Sequence, residues 1–585
     1  MSEATPRPTD PEQQPRWWTE RELLLILFLI GITFCVRLDA LPLFGEEPRR
    51  AQIAREMVES GDWLVPGTQR VFLPSRPPLQ NWLIAFVGLM TGAFDVWSAR
   101  IPSVISVALI AVMMYGYLRQ YIGRLGSLTG VASFLTMTLV MEFGRSAETE
   151  AVFSLFVAAS MLLWHWGWMK KWPEWQLWSI GYFFTAMGML TKGLQAPLYF
   201  VGATTLFLLA TNNWRKIVTW PHILGISVFI VTVGAWQGPF AWYRGIEDSW
   251  NIYFGDVAGR FVDRHWGVFL GHLVTFPAEL LFVRLMPWSL LLLAYGSRRV
   301  RQLSGVQREG ALFLAICIGF SFISVWLPPG SKVRYYMPLF PCFAALIGIA
   351  VDRLAALRPT LDPDNAWTNY VQSMVYLMTG SAVVVVAVSM LFPAMRIALS
   401  VVNALGYAAA ALALAYIAWS SLKDLSERGM GRGVMSIATF LALVEVCLIV
   451  TVQERRCEDI AGQLEQLKQS LPADSQLVSL GPVHHAFAYF YEEPIPIVTI
   501  PEGDGDDDYD YFCLHTCDSD PPELPFEWTQ IAVISCDRLK GRDTPKDRVF
   551  VGRRVSTDEQ LGQTPHEPAL PLNLFENLTR VIHQN

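Results

Sequence analysis

From residue 23 onward, long apolar runs alternate with short polar connectors. The first run, residues 23–43, has the length of about 20 residues that a bilayer core requires. A polar stretch follows, Phe44-Gly45-Glu46-Glu47-Pro48-Arg49-Arg50, and then a shorter apolar run at 78–94 opened by Pro77-Pro78. That run is too short to span comfortably and reads as re-entrant or interfacial. Further spans fall near 98–118, 126–143, 148–168, 176–191, 195–211, 219–241, 278–296, 311–328, 335–351, 371–393, 398–420 and 433–453. With the first run these make about thirteen. Arg119 to Arg124, Lys170-Lys171, Trp214-Arg215-Lys216, Arg298-Arg299-Val300-Arg301, Asp352-Arg353 and 423–432 then share one side, and nearly all are basic. The positive-inside rule makes that side cytoplasmic, with the N-terminus inside and the C-terminus outside.

Residues 454–585 are soluble in composition. Short β-rich runs (476–480, 495–499, 511–515, 530–535, 548–551) alternate with a helix-like stretch at 460–469, and a small α/β domain is the reading. The expected organisation is a cytoplasmic tail at 1–22, a membrane domain at 23–453 with an external loop at 44–97, and a soluble external α/β domain at 454–585. No repeat of 20–50 residues and no matched pair of broken helices marks two transporter halves.

Composition agrees with the pattern. The 585 residues are 52% hydrophobic and 17% charged, with a mean hydropathy of +0.32; soluble chains carry about 25% charge. A net charge of −7 without a basic stripe excludes a nucleic-acid partner. Many of the 22 Trp and 34 Phe are expected to face lipid or its interface. The polar start leads into a run too long for a signal-peptide core and without a small-residue cleavage site, so no cleavable signal is expected. Cys35, Cys317, Cys342 and Cys447 lie in apolar runs. Cys457, Cys513, Cys517 and Cys536 lie in the polar C-terminal part, where an external location would permit any of three disulfide pairings. The acidic run Asp504 to Asp510 lacks calcium-loop spacing and reads as a solvated loop.

The unusual polar groups gather in the connectors assigned outside: Glu46, Glu47, Arg49, Arg76, Arg145, Glu148, Glu150, Lys192, Arg260, His265, Lys332 and Arg334. Charges beside a bilayer persist mainly where they face a cavity or one another. Carboxylates can deprotonate a hydroxyl or hold a sugar, and the cations suit a phosphate, Arg as a fork and Lys as a point charge.

The ordered motifs carry a resemblance. Glu46-Glu47-Pro48-Arg49, Ile53-Ala54-Arg55-Glu56-Met57, Gly61-Asp62-Trp63-Leu64-Val65-Pro66 and Arg76-Pro77-Pro78-Leu79-Gln80-Asn81-Trp82 come first. Thr191-Lys192-Gly193, Leu285-Met286-Pro287-Trp288 and the stretch from Gly330-Ser331-Lys332-Val333-Arg334 to Pro341 follow. Together they resemble bacterial polyprenyl-phosphate-sugar-dependent glycosyltransferases of the GT-C class, such as the lipid A aminoarabinose transferase and the protein O-mannosyltransferases. The likeness covers residues 23–350; beyond them only the layout is similar. It implies a GT-C polytopic membrane protein of the inner membrane, a polyprenyl-phosphate-linked sugar as donor, a lipid, glycan or protein acceptor, and inverting transfer at the periplasmic face. By position, Glu46 matches the family's usual Asp and is the implied general base, with Glu47 and Arg49 bracing it. Arg76 matches a Lys that contacts the lipid phosphate, Glu150 the acid of the second external loop, and Arg260 another phosphate-binding arginine. Lys332 and Arg334 belong to the late outer motif. The chain departs from the family with Glu for Asp at 46, Arg for Lys at 76, and Arg50 where Tyr is common.

Blander readings stand beside these. Glu47 with Arg49 can be a surface ion pair, Arg55 and Glu56 the solvated face of an interfacial helix, and Lys192 and Arg264 headgroup anchors. His265 is the one metal candidate, and a single His without a placed cluster of acids or thiols reads first as an interfacial polar residue. No cofactor is therefore assigned, and a divalent metal stays open. The competing functions are a flippase of lipid-linked sugars, which would want charges along a midplane path, and a catalytically silent relative that serves as a binding protein.

Overall fold

Lipid offers the backbone no hydrogen bonds, so each apolar run has to close its own as a helix. The computed structural model of the chain shows that it does. It describes residues 20–69, 71–72, 76–258, 266–357, 366–395, 397–424, 426–472, 475–498, 509–517, 520–538 and 547–555. The helices run α1 (Glu20–Ile30), α2 (Glu47–Ser60), α3 (Leu79–Thr91), α4 (Val96–Leu118), α5 (Arg124–Leu135), α6 (Thr138–Gly144), α7 (Thr149–Met169), α8 (Glu174–Lys192), α9 (Gln195–Ala210), α10 (Trp220–Arg244), α11 (Ile246–Ala258), α12 (Trp266–Glu279) and α13 (Gly305–Trp326). They continue with α14 (Phe340–Leu357), α15 (Ala366–Leu391), α16 (Val401–Ser421), α17 (Glu427–Val444) and α18 (Val450–Arg456). A hairpin, β1 (Gly67–Thr68) and β2 (Val71–Phe72), lies between α2 and α3. Among the described residues nine helices are long and apolar enough to cross a membrane, or ten if α5 and α6 count as one span.

Three of the expected spans take a different form, each for a local reason. The first was expected to reach residue 43, yet α1 ends through a π-turn at Gly31–Cys35. Arg145 donates to the carbonyl oxygens of Thr33 (2.6 Å), Val36 (2.9 Å) and Arg37 (2.8 Å), so the carbonyls orphaned at the helix end are satisfied there. The run at 126–143 breaks into α5 and α6, bent by 61°. At the break the Thr136 hydroxyl donates to the Ala132 carbonyl (2.7 Å) and accepts from the Trp288 indole (2.9 Å). The run expected at 278–296 splits near Pro287, which has no N–H to donate. The helix of spanning length is Trp266–Arg284, and Trp288–Gly296 is 3-10 helix. The stretch 78–94 holds only the 13-residue α3.

Close packing fixes the bundle. A Cβ on Gly348 of α14 would stand 2.6 Å from the Gly126 carbonyl oxygen of α5, and one on Gly126 would stand 2.7 Å from the Gly348 carbonyl. The two backbones therefore touch, as small residues allow in membranes.

The chain divides into two compact units, Met1–Cys457 with Arg538–Lys540, and Glu458–Asp537 with Gly541–Asn585. The second holds α19 (Ile460–Ser470), β3 (Leu477–Leu480), α20 (His485–Tyr491), β4 (Ile497–Val498), β5 (Tyr511–Thr516), β6 (Trp528–Ser535) and β7 (Arg548–Arg554). Its sheet has the order β4-β3-β5-β7-β6, with β3 parallel to β4 and β5, and β7 antiparallel to β5 and β6. Ile460, Leu464, Leu467 and Phe487 cover one face over Cys513, Val549 and Val551. All eight cysteines are free thiols, so the four in the C-terminal part form no disulfide here.

Candidate functional site

Gly45 (φ 63°) turns the chain sharply into α2, whose first residues are Glu47 and Pro48. This turn aims the two glutamates differently. Glu47 is fully buried and grips Arg100 of α4 as a fork, with Nε to Oε1 at 2.9 Å and Nη2 to Oε2 at 2.8 Å. It also accepts from the Ala147 amide (2.7 Å) and the Phe44 amide (3.2 Å). Arg100 meanwhile donates to the carbonyls of Leu38, Leu41 and Pro42. Glu47 is thus a fully engaged clamp between the loop and α4, and its expected partnership with Arg49 does not form. Arg49 pairs instead with Glu46, half-exposed at the opening of α2.

Glu46 lines a cavity of about 440 Å³ with Arg145, Glu148, Lys332 and Arg334. These five side chains, all from connectors read as external, share its wall. Lys332 and Arg334 also line a neighbouring cavity of about 380 Å³ beside His272 and Thr275. Glu150, two residues into α7, stands one layer behind. Its Oε1 takes Lys192 Nζ at 2.8 Å and Arg334 Nε at 3.5 Å, and both the Glu150 and Lys192 side chains are 2% exposed. Lys192 is therefore a buried ion-pair partner rather than a headgroup anchor. Arg334 bridges the two acids of this turn, with Nη1 3.5 Å from Glu148 Oε1, and its guanidinium lies 5.6 Å from the Phe143 ring centre. Arg76 is half-buried and close enough to act on Arg50, Glu150 and Lys192. Glu56 accepts from Gln52 and from the Gln69 amide, tying α2 to the hairpin rather than facing solvent. Arg260, Arg264 and His265 lie outside the described residues.

Charge in this layer is tuned by burial. Glu148 has its carboxyl pushed up to about 7, first by burial and then by Glu150, against the pull of Arg334 and Arg50. Arg50 is brought down to about 10 by burial and by Arg49, and stays charged. Glu46, Glu47, Glu142, Glu148, Glu150 and Glu445 stand against Arg37, Arg49, Arg50, Arg76, Arg100, Arg145, Lys192, Lys332 and Arg334 in and around this cavity, an excess of cations that suits an anionic ligand.

The chain is similar to known proteins. The family model for dolichyl-phosphate-mannose-protein mannosyltransferase matches residues 75–236. A curated relative from Edwardsiella ictaluri, undecaprenyl phosphate-alpha-4-amino-4-deoxy-L-arabinose arabinosyl transferase, is 24% identical over 348 residues, covering 58% of this chain and 60% of that protein. Its Pseudomonas fluorescens counterpart is 26% identical over 370 residues, covering 61% and 64%. The chain thus matches about three fifths of the length of these relatives. The crystal structure of ArnT from Cupriavidus metallidurans bound to undecaprenyl phosphate superposes with a TM-score of 0.64 at 16% identity, over 90% of this chain and 97% of that one. The chain shares the fold of that transferase and is similar in sequence to these enzymes over about three fifths of its length.

At this site, sequence reasoning gave no role to three residues. Arg100 sits near the start of a spanning helix, where a lone cation reads as an interface anchor. Glu148 was placed in the outer loop but given no role, because nothing in the sequence marks its burial. Arg50 was noted only as a departure, yet it is 3% exposed and beside the cavity wall.

Proposed function

We propose that this chain moves a sugar from a polyprenyl-phosphate donor to a hydroxyl or phosphate acceptor, on the periplasmic side of the inner membrane. The observation that carries the reading is the 440 Å³ cavity lined by Glu46, Glu148, Lys332 and Arg334 on a GT-C fold. Its volume is that of a small-molecule site, which runs to about 300–1,000 Å³. In the proposed step Glu46 takes the acceptor's proton, the freed oxygen attacks the anomeric carbon, and the bond from that carbon to the phosphate oxygen breaks. Attack opposite the leaving group inverts the anomeric configuration. Arg76, Lys332 and Arg334 receive the charge that develops on the lipid phosphate, the electrostatic contribution that such sites depend on. Where the acceptor is already an anion, Glu46 orients the sugar instead. Glu47 and Arg100 hold the loop, and Glu150 with Lys192 fixes Arg334 from behind.

The curated relatives name undecaprenyl-phosphate-linked 4-amino-4-deoxy-L-arabinose, which makes that lipid the first donor to try. The cations gather at this cavity rather than along a path through the bundle, which favours transfer over flipping. The test is reconstitution with a panel of polyprenyl-phosphate sugars while free polyprenyl phosphate is measured. Release from at least one donor is expected, and release from none would overturn the reading.

A further inference from the structure

The second unit carries a cluster that sugar transfer does not use. In the antiparallel pair of β5 and β7, Thr516 faces Arg548, so one step further Cys517 stands across from Asp547. Side chains alternate faces along a strand, which puts His515 and Cys517 on the same side. Cys513, Val549 and Val551 share that side and are buried in the core under α19 and α20, so the three polar groups occupy the rim of a packed face.

One ligand atom from each of His515, Cys517 and Asp547 lies within 4.8 Å of the others. His515 Nε2 is 3.4 Å from Asp547 Oδ1, yet among the described residues this buried nitrogen makes no hydrogen bond. The backbone beneath is held: the Cys536 amide donates to the Asp547 carbonyl at 2.9 Å. The His484 ring, at the start of α20, lies 5.4 Å from that of His515.

We propose that His515, Cys517 and Asp547 bind a divalent cation of the zinc type. Nitrogen, thiolate and carboxylate together match a borderline-soft ion and not calcium or magnesium, which take oxygen ligands. Bonds of about 2.0–2.3 Å in a tetrahedron set ligand atoms about 3.3–3.8 Å apart, and the 3.4 Å His515–Asp547 separation falls in that range. Binding displaces the Cys517 thiol proton to solvent. Three protein ligands leave the fourth position to water, and the ion clips the end of β5 to the start of β7.

The test uses untagged full-length protein in detergent with reduced thiols, titrated with Co²⁺ as a spectroscopic stand-in and then with Zn²⁺. The expected result is an equimolar cobalt complex with tetrahedral visible bands and a thiolate-to-cobalt charge-transfer band, displaced by Zn²⁺. Cys517→Ser removes that band, Asp547→Asn weakens binding at least tenfold, and Cys35→Ser, at the other exposed cysteine, changes nothing. No charge-transfer band, or one that survives Cys517→Ser, overturns the site. Maleimide labelling of wild-type Cys517 gives a readout that needs no variant: Zn²⁺ slows it at least tenfold if the site exists, and an unchanged rate overturns it.

Discussion

Glu148 stands at the residue before α7 with its carboxyl pushed up to about 7, so its charge changes in the physiological range. Its ordinary value is 4.5 and burial is the largest cause of the rise. Below about pH 7 the side chain is neutral; above it, a negative charge stands beside Arg334. An anionic donor meets less repulsion at the protonated form. The donor KM therefore rises as pH increases through about 7, and Glu148→Gln keeps the low value throughout. Donor titrations at about pH 6 and about pH 8 check this, and a wild-type KM that does not move contradicts it. Glu46 and Arg49 were legible as part of the ordered loop motif that carries the resemblance, though their pairing was not. Arg100 and Glu148 were not, because a buried charge and an anchoring charge look alike until the fold supplies the partner.

At the scale of elements, the Glu47–Arg100 fork holds the first loop to α4, and both side chains are nearly excluded from solvent. Removing one partner from such a pair costs about 3–5 kcal/mol, since the other charge is left buried. Arg100→Ala and Glu47→Ala are each expected to lower the melting temperature in detergent by several degrees. The double variant should lose less than the two losses added, because the partners share one interaction. Additive losses would show that the fork is not a unit. Most spans were legible from apolar run length, but Trp266–Arg284 was not, about thirteen were expected against nine or ten among the described residues, and the ends were not legible. Arg145, more than a hundred residues away, decides where α1 stops, and the Thr136–Trp288 contact marks where α5 breaks from α6.

For the whole molecule, the account needs the loop at 44–97 and the connector at Arg298 to Arg301 on opposite sides of the membrane. Single cysteines at Ser60 and at Ser297, in intact cells with an impermeant maleimide, should label at the first position and not at the second. Labelling of Ser297→Cys would invert the topology. The C-terminal strands were readable as β-rich runs, whereas the sheet order was not, since register depends on pairings between distant segments. The central claim is that one cavity binds the donor and carries out its cleavage through Glu46. It is tested most directly by measuring donor binding and polyprenyl-phosphate release side by side in the wild type and in Glu46→Gln. Glu46→Gln is expected to bind the donor as the wild type does and to release polyprenyl phosphate about 10²–10⁴-fold more slowly, the range for loss of a general base; release at the wild-type rate would show that Glu46 is not that base.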